Sequence, residues 1–128
     1  MTQVEDADLE IAKSIVAGLP DAAILLTRDL ETIEFNTAYA VMSGVSRRRL
    51  GRALDDGPGA AFSVIGSGTQ TELVREALAS GKVVRRDEVP VRNANDEEFI
   101  VIESAIPVVR DEQTLAVIHC LRDVNAES

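Results

Sequence analysis

The stretch EFIVIESAIPVVRDEQTLAVIHCLRD, residues 98–123, decides the fold. It reads as two strands, Glu98–Pro107 and Thr114–Arg122, joined through the charged turn Arg110-Asp111-Glu112. A turn centred on Asp111 places Glu103 opposite His119, Val101 opposite Leu121 and Ala105 opposite Val117. Side chains alternate along a strand, so Phe99, Val101, Glu103 and Ala105 share one face with Val117, His119 and Leu121. The other face carries Ile100, Ile102, Ser104, Ile106, Ala116, Ile118, Cys120 and Arg122. Both faces are largely apolar, so both must be covered. On the first, a carboxylate and an imidazole stand in an apolar wall, which is costly unless they bond each other or a ligand.

Working outward, a third strand, Val83–Arg92, precedes this pair across the turn Asn93-Ala94-Asn95-Asp96. Before it, Thr69-Gln70-Thr71-Glu72 forms a capping box that opens the helix TELVREALAS, which Gly81 ends. Near the N-terminus, residues 5–18 make an amphipathic helix with the stripe Leu9, Ala12 and Val16 and with acids in its first turns. Gly18 and Pro20 stop it. Two short strands follow, Ala22–Thr27 and Thr32–Phe35, and Asn36 caps the short helix TAYAVMS, closed by Gly44. Ser46 opens a further turn, and residues 51–68 read as irregular loop. The expected domain limits are 1–18 for a flanking helix and 19–126 for the main body. Strands in two groups around a helical middle give an α+β class with a five-stranded antiparallel sheet, short helices covering one face.

Composition narrows the function. The 128 residues hold one domain, with 45% apolar and 27% charged residues, which excludes collagen-like, disordered and disulfide-scaffold classes. A net charge of −9 argues against direct nucleic-acid contact or an anionic membrane surface. No signal peptide or spanning apolar run is present. The single Cys120 forms no internal disulfide, and one His with one Cys excludes a structural zinc site. The expected location is cytoplasmic.

Six phrases in order give the sequence a resemblance to the PAS domain, the sensory module of bacterial kinases, cyclases and transcription regulators. They are Leu19-Pro20-Asp21 with AAILLT, then Phe35-Asn36-Thr37-Ala38-Tyr39, then Gly44-Val45-Ser46 through Leu50-Gly51-Arg52. Ile106-Pro107-Val108, Arg110-Asp111-Glu112 and Arg122-Asp123-Val124-Asn125 complete the set, and the resemblance covers roughly residues 15–126. It departs from the family's flavin photosensors in lacking their reactive Cys in the helical middle. It also lacks the His that one haem-binding type carries on the long helix. The resemblance therefore implies neither a thiol-adduct flavin nor that haem site, and it leaves the cofactor unknown. Asn125 stands where the family usually has Thr, which weakens the expected coupling of Asp123 to an output segment.

The resemblance turns the Glu103/His119 face toward an internal pocket. It implies that Glu103 and His119 recognise a small molecule, with Phe35, Tyr39, Met42, Phe62, Val89, Val91, Val101 and Leu121 lining the rest. Two other readings stay open: the pair satisfies itself and binds nothing, or the faces are reversed and Ser104, Cys120 and Arg122 line the pocket. Gly57-Pro58-Gly59 and Gly66-Ser67-Gly68 are too isolated for a phosphate loop, and Arg47-Arg48-Arg49 reads as a solvated face.

The expected function is a sensory module of a signal-transduction, two-component or transcription-regulatory protein. It would relay ligand binding to an output domain or partner protein, whether as a piece of a longer chain or standing alone. The alternative is a ligand-free dimerisation module, a homodimer joined through the N-terminal helix and the outer sheet face (Ile100, Ile102, Ile106, Ile118). An enzyme using Glu103 as base and His119 as acid is disfavoured, because no nucleophile, oxyanion or metal motif accompanies the pair.

Overall fold

The computed structural model describes residues 3–45, 61–66 and 68–127. Helix α1 (Gln3–Gly18) buries Leu9, Ala12 and Val16, the i, i+3, i+7 stripe that a 3.6-residue period presents on one side. Strand β1 (Ala22–Thr27) is buried along almost its whole length, because it lies second in the sheet and is covered on both faces. A tight turn with Leu30 in the left-handed region leads into β2 (Thr32–Phe35), where Thr27 Oγ1 accepts from the amides of Asp29 and Glu31. Helix α2 (Thr37–Ser43) ends on Gly44 at φ 71°, a conformation that favours glycine. Strand β3 (Phe62–Val64), helix α3 (Gln70–Ser80), and the long strands β4 (Val84–Asn93), β5 (Glu98–Arg110) and β6 (Gln113–Asp123) follow, closed by a 3₁₀ turn at Val124–Glu127. The turn expected at Ser46, the triplet 47–49 and the Gly-Pro-Gly at 57–59 lie outside the described residues.

The sheet is antiparallel in the order β2-β1-β6-β5-β4-β3. The five expected strands are present, and β3 adds a short sixth against β4 from within the stretch read as loop. One face packs under α2 and α3, in a core that includes Ile24, Leu26, Tyr39, Phe62, Leu73 and Val101. Helix α1 covers part of the other face, its stripe lying against Ala23, Leu25, Ala116 and Ile118. The outer face is therefore closed by the chain's own helix where β1 and β6 run. Toward β5 it remains open, with Ile100 and Ile106 more than a third exposed.

The β5–β6 pairing differs in register from the expectation. The hairpin turns on Asp111 and Glu112, both at positive φ (50° and 65°), with Arg110 opposite Gln113. That is the backbone hand of a two-residue turn matched to strand twist. A bulge between Val108 and Val109 then slips the ladder by one more residue. As a result Glu103 lies opposite Leu121, and His119 lies opposite Ala105. The shift is two residues, so each side chain keeps its expected face, and Glu103 and His119 meet diagonally.

Candidate functional site

Glu103 and His119 are both completely buried on the face under α2 and α3. His119 Nε2 lies 2.9 Å from Glu103 Oε1, and Arg86 Nη2 lies 3.0 Å from Glu103 Oε2. The register sets Arg86 directly opposite Glu103 across β4 and β5. The same Nη2 donates to the Thr69 carbonyl at 2.8 Å. Gly68, at φ +90°, makes room for it, since a Cβ there would stand 3.0 Å from Arg86 Nη1. A buried carboxylate is thus flanked by an imidazole and a guanidinium, the arrangement that offsets its desolvation.

The compensation is incomplete. Four further side-chain atoms on or beside this face have no hydrogen-bond partner among the described residues: Tyr39 Oη, Gln70 Nε2, Arg86 Nε and His119 Nδ1. Glu103 Oε2 also lacks a well-aligned bond, because its contact with Arg86 is close but off the donor axis. Buried polar atoms are nearly always paired, and each one left open costs roughly 1–3 kcal/mol. Burial first, and the Glu103 charge second, push the Tyr39 phenol well above the ordinary tyrosine range, so it stays a neutral donor. The ring of Tyr39 packs edge-on against Phe62 with centroids 5.5 Å apart.

Three local devices position these groups. Asn36 caps α2 by accepting from the Tyr39 amide at 2.9 Å, which fixes the turn that carries Tyr39. The capping box at Thr69 and Glu72 fixes the first turn of α3, where Gln70 sits. A bulge in β4 between Arg86 and Val89, with Glu88 at φ 50°, puts Arg86 on the same face as Val89 and Val91. Strict alternation would have turned Arg86 outward.

The structure brings the expected residues together. Tyr39, Phe62, Val89, Val91, Val101 and Leu121 belong to one buried core, with Phe35 and Met42 packed against it at partial exposure. Of the polar groups that matter here, Arg86 and Gln70 escaped the sequence reading. Ser104, Cys120 and Arg122 lie on the opposite face: Ser104 pairs with Arg85 and Cys120, Cys120 also with Ala23, and Arg122 with Ile102. Among the described residues no group of three or more His, Cys, Asp or Glu could hold a metal ion. No described helix is long and apolar enough to cross a membrane.

A curled antiparallel sheet, helices over one face and a polar cluster on the covered side define an α+β architecture. More specifically, the chain has the PAS fold. A LOV protein of Rhodobacter sphaeroides is similar at TM-score 0.69 and 18% identity, over 96% of this chain and 69% of that one. The PAS domain of the fruit-fly ELK potassium channel matches at TM-score 0.67 and 13% identity, over 91% of this chain and 96% of that domain. The PAS domain of nitrogen regulation protein NR(II) from Vibrio parahaemolyticus matches at 0.63 and 16%, over 89% and 98%. No family model matches the sequence, and no curated protein does.

Proposed function

We propose that this chain is a sensory module that binds a small polar molecule on the sheet face under α2 and α3 and passes the change to an output domain or partner protein. The observation that carries the reading is the set of buried polar atoms left without partners at and near Glu103 among the described residues. A core selected only for stability would have closed such a set or replaced it with apolar side chains. Glu103 serves as the anchor that holds Arg86 and His119 in place, and the apolar residues from Phe35 to Leu121 form the walls. The reading is of a binding module, not an enzyme.

A route outward exists on both sides. The Asn36 side chain ties α2 to the end of α1, donating to the carbonyls of Val16, Leu19 and Asp21. Arg122 donates to Asp21 at 3.4 Å, and Asp123 accepts from the Asn125 amide at 2.9 Å, so β6 is linked to the same corner and to the C-terminal turn. A ligand biases signalling only by preferring one arrangement of these elements over another. The proposed setting is a cytoplasmic sensor of a two-component or transcription-regulatory protein.

A second reading, a homodimerisation module, is favoured by one observation. Ile11 and Ile15 on α1 face Ile106 and Val109 of β5 across an apolar cleft of about 310 Å³, and all four are exposed. Leu9 and Val16 are buried within the chain, whereas Ala12 and Ile118, though largely buried, line the cleft.

The test is to denature the natively purified chain and identify the released small molecules by mass spectrometry. About one equivalent of a compound that rebinds the refolded protein supports the sensor. No released compound, together with no binding from a metabolite extract, leaves the dimerisation reading.

A further inference from the structure

We propose that Arg86 is a latch: it holds the N-terminal end of α3 on the sheet, and its release lets that end swing out and uncover Glu103, His119 and Tyr39. The proposal goes beyond the sensor reading and stands whether or not a ligand binds.

The two ends of α3 are held differently. At the C-terminal end the short link 81–83 joins the helix covalently to β4, and the Gly81 amide closes the last turn on the Ala77 carbonyl at 2.9 Å. At the N-terminal end the capping box between Thr69 and Glu72 ties the helix only to itself. A polar tie from that end to the sheet is supplied by Arg86. Its Nη2 donates to the Thr69 carbonyl at 2.8 Å and lies 3.0 Å from Glu103 Oε2. One side chain of β4 thus joins β5 to the start of α3.

The tie is lightly made. Arg86 Nε has no partner among the described residues and Glu103 Oε2 lacks an aligned bond, so opening breaks few bonds. The side chain is 30% exposed, and water takes up the guanidinium as it leaves. The part of β4 that carries it is irregular, with Glu88 at φ 50° in the bulge. Among the described residues 84–88 have a strand on one side only, because β3 pairs with residues 91–93. Packing at the same end of α3 is incomplete as well. A cleft of about 160 Å³ opens there between β3 and the helix start, and Gln70, which lines it, keeps an unpartnered Nε2. Sparse packing and open hydrogen bonds mark a segment that opens locally before the whole domain unfolds.

The test compares the unaltered chain with Arg86→Met and Arg86→Lys. It uses native-state amide exchange and acrylamide quenching of the single tyrosine, Tyr39, which is fully buried. Losing a bond from a charged donor is expected to speed exchange at Leu73 and Val74 at least about tenfold in Arg86→Met, with Ala77 and the β1 amides changed far less. Acrylamide is expected to quench Tyr39 more strongly in the same variant. Lysine keeps a cation opposite Glu103 but lacks the planar fork that reaches the Thr69 carbonyl. A smaller rise at the same two amides is expected from it, and that rise decides the matter if the methionine variant does not fold. Exchange that quickens equally in α3 and β1, or quenching that stays at its original value, shows a plain stabilising contact and overturns the latch. Whether a compound is released on denaturation bears on the sensor reading alone.

Discussion

Replacing Asn36 tests whether one buried amide joins α1, β1 and α2. Its Oδ1 accepts from the amides of Ala23 at 3.1 Å and Tyr39 at 2.9 Å. Its Nδ2, with two hydrogens, reaches the carbonyls of Val16, Leu19 and Asp21 at 3.1, 3.2 and 2.8 Å, so one hydrogen is shared. In Asn36→Ala the cap is lost, at about 1 kcal/mol, and two or three buried backbone groups go unpaired, at about 1–3 kcal/mol each before relaxation. The expected loss is about 3–5 kcal/mol, which for a domain of this size lowers the thermal midpoint by roughly 12–20 °C. Asn36→Asp sharpens the test. Aspartate is among the best helix caps, yet here its second oxygen would face three carbonyls. It is expected to fall at least as far as alanine. Urea unfolding, with the slope compared between variants, reads the loss directly. If alanine costs only about 1 kcal/mol, or aspartate holds wild-type stability, Asn36 is a cap and nothing more.

Glu103→Gln keeps an acceptor for His119 and removes the charge facing Arg86; urea unfolding is expected to show a loss of about 1–3 kcal/mol, and a loss within about 0.5 would contradict the buried pair. Tyr39 is the chain's single tyrosine, so its ultraviolet titration is unambiguous. Its folded pKa is raised by burial and then by Glu103. Its contribution to stability is therefore intact below the ordinary value near 10 and is lost as pH climbs from there toward the folded value, so phenolate absorbance should appear only with unfolding. A tyrosine titrating near 10 in the folded protein refutes its burial beside Glu103. Burial, with Asp21 second, pushes the Cys120 thiol up to about 11. Iodoacetamide at neutral pH should label it much more slowly than a free thiol, and rapid labelling would contradict its place between β1 and β5.

Much of the fold could be read from residues because the signals were local. The cap at Asn36, the capping box at Thr69 and Glu72, and the limits of β1 and β2 rest on neighbours in sequence. The placement of Glu103 and His119 on one inner face survived a wrong register because parity is unchanged by a shift of two. What escaped depended on irregularities. The bulge at Asp87 and Glu88 reverses parity within β4, so Arg86 looked like an outward residue of a charged run. Strand β3 has three residues, too few for any period to show, and it is held by pairing with a strand about thirty positions away. Gln70 occupies the first turn of a helix, a place where polar residues usually meet water; only the packing of β3 and β4 around it makes it part of a buried cluster.

The central claim is that the unpartnered buried polar atoms at and near Glu103 exist to meet a ligand. The most direct test records NMR spectra of the labelled chain while the small-molecule fraction of a cell extract is added. Shifts concentrated at Tyr39, Gln70, Arg86 and His119 are the predicted result. Shifts confined to Ile11, Ile15, Ile106 and Val109 on the outer cleft, or none at all, would contradict it.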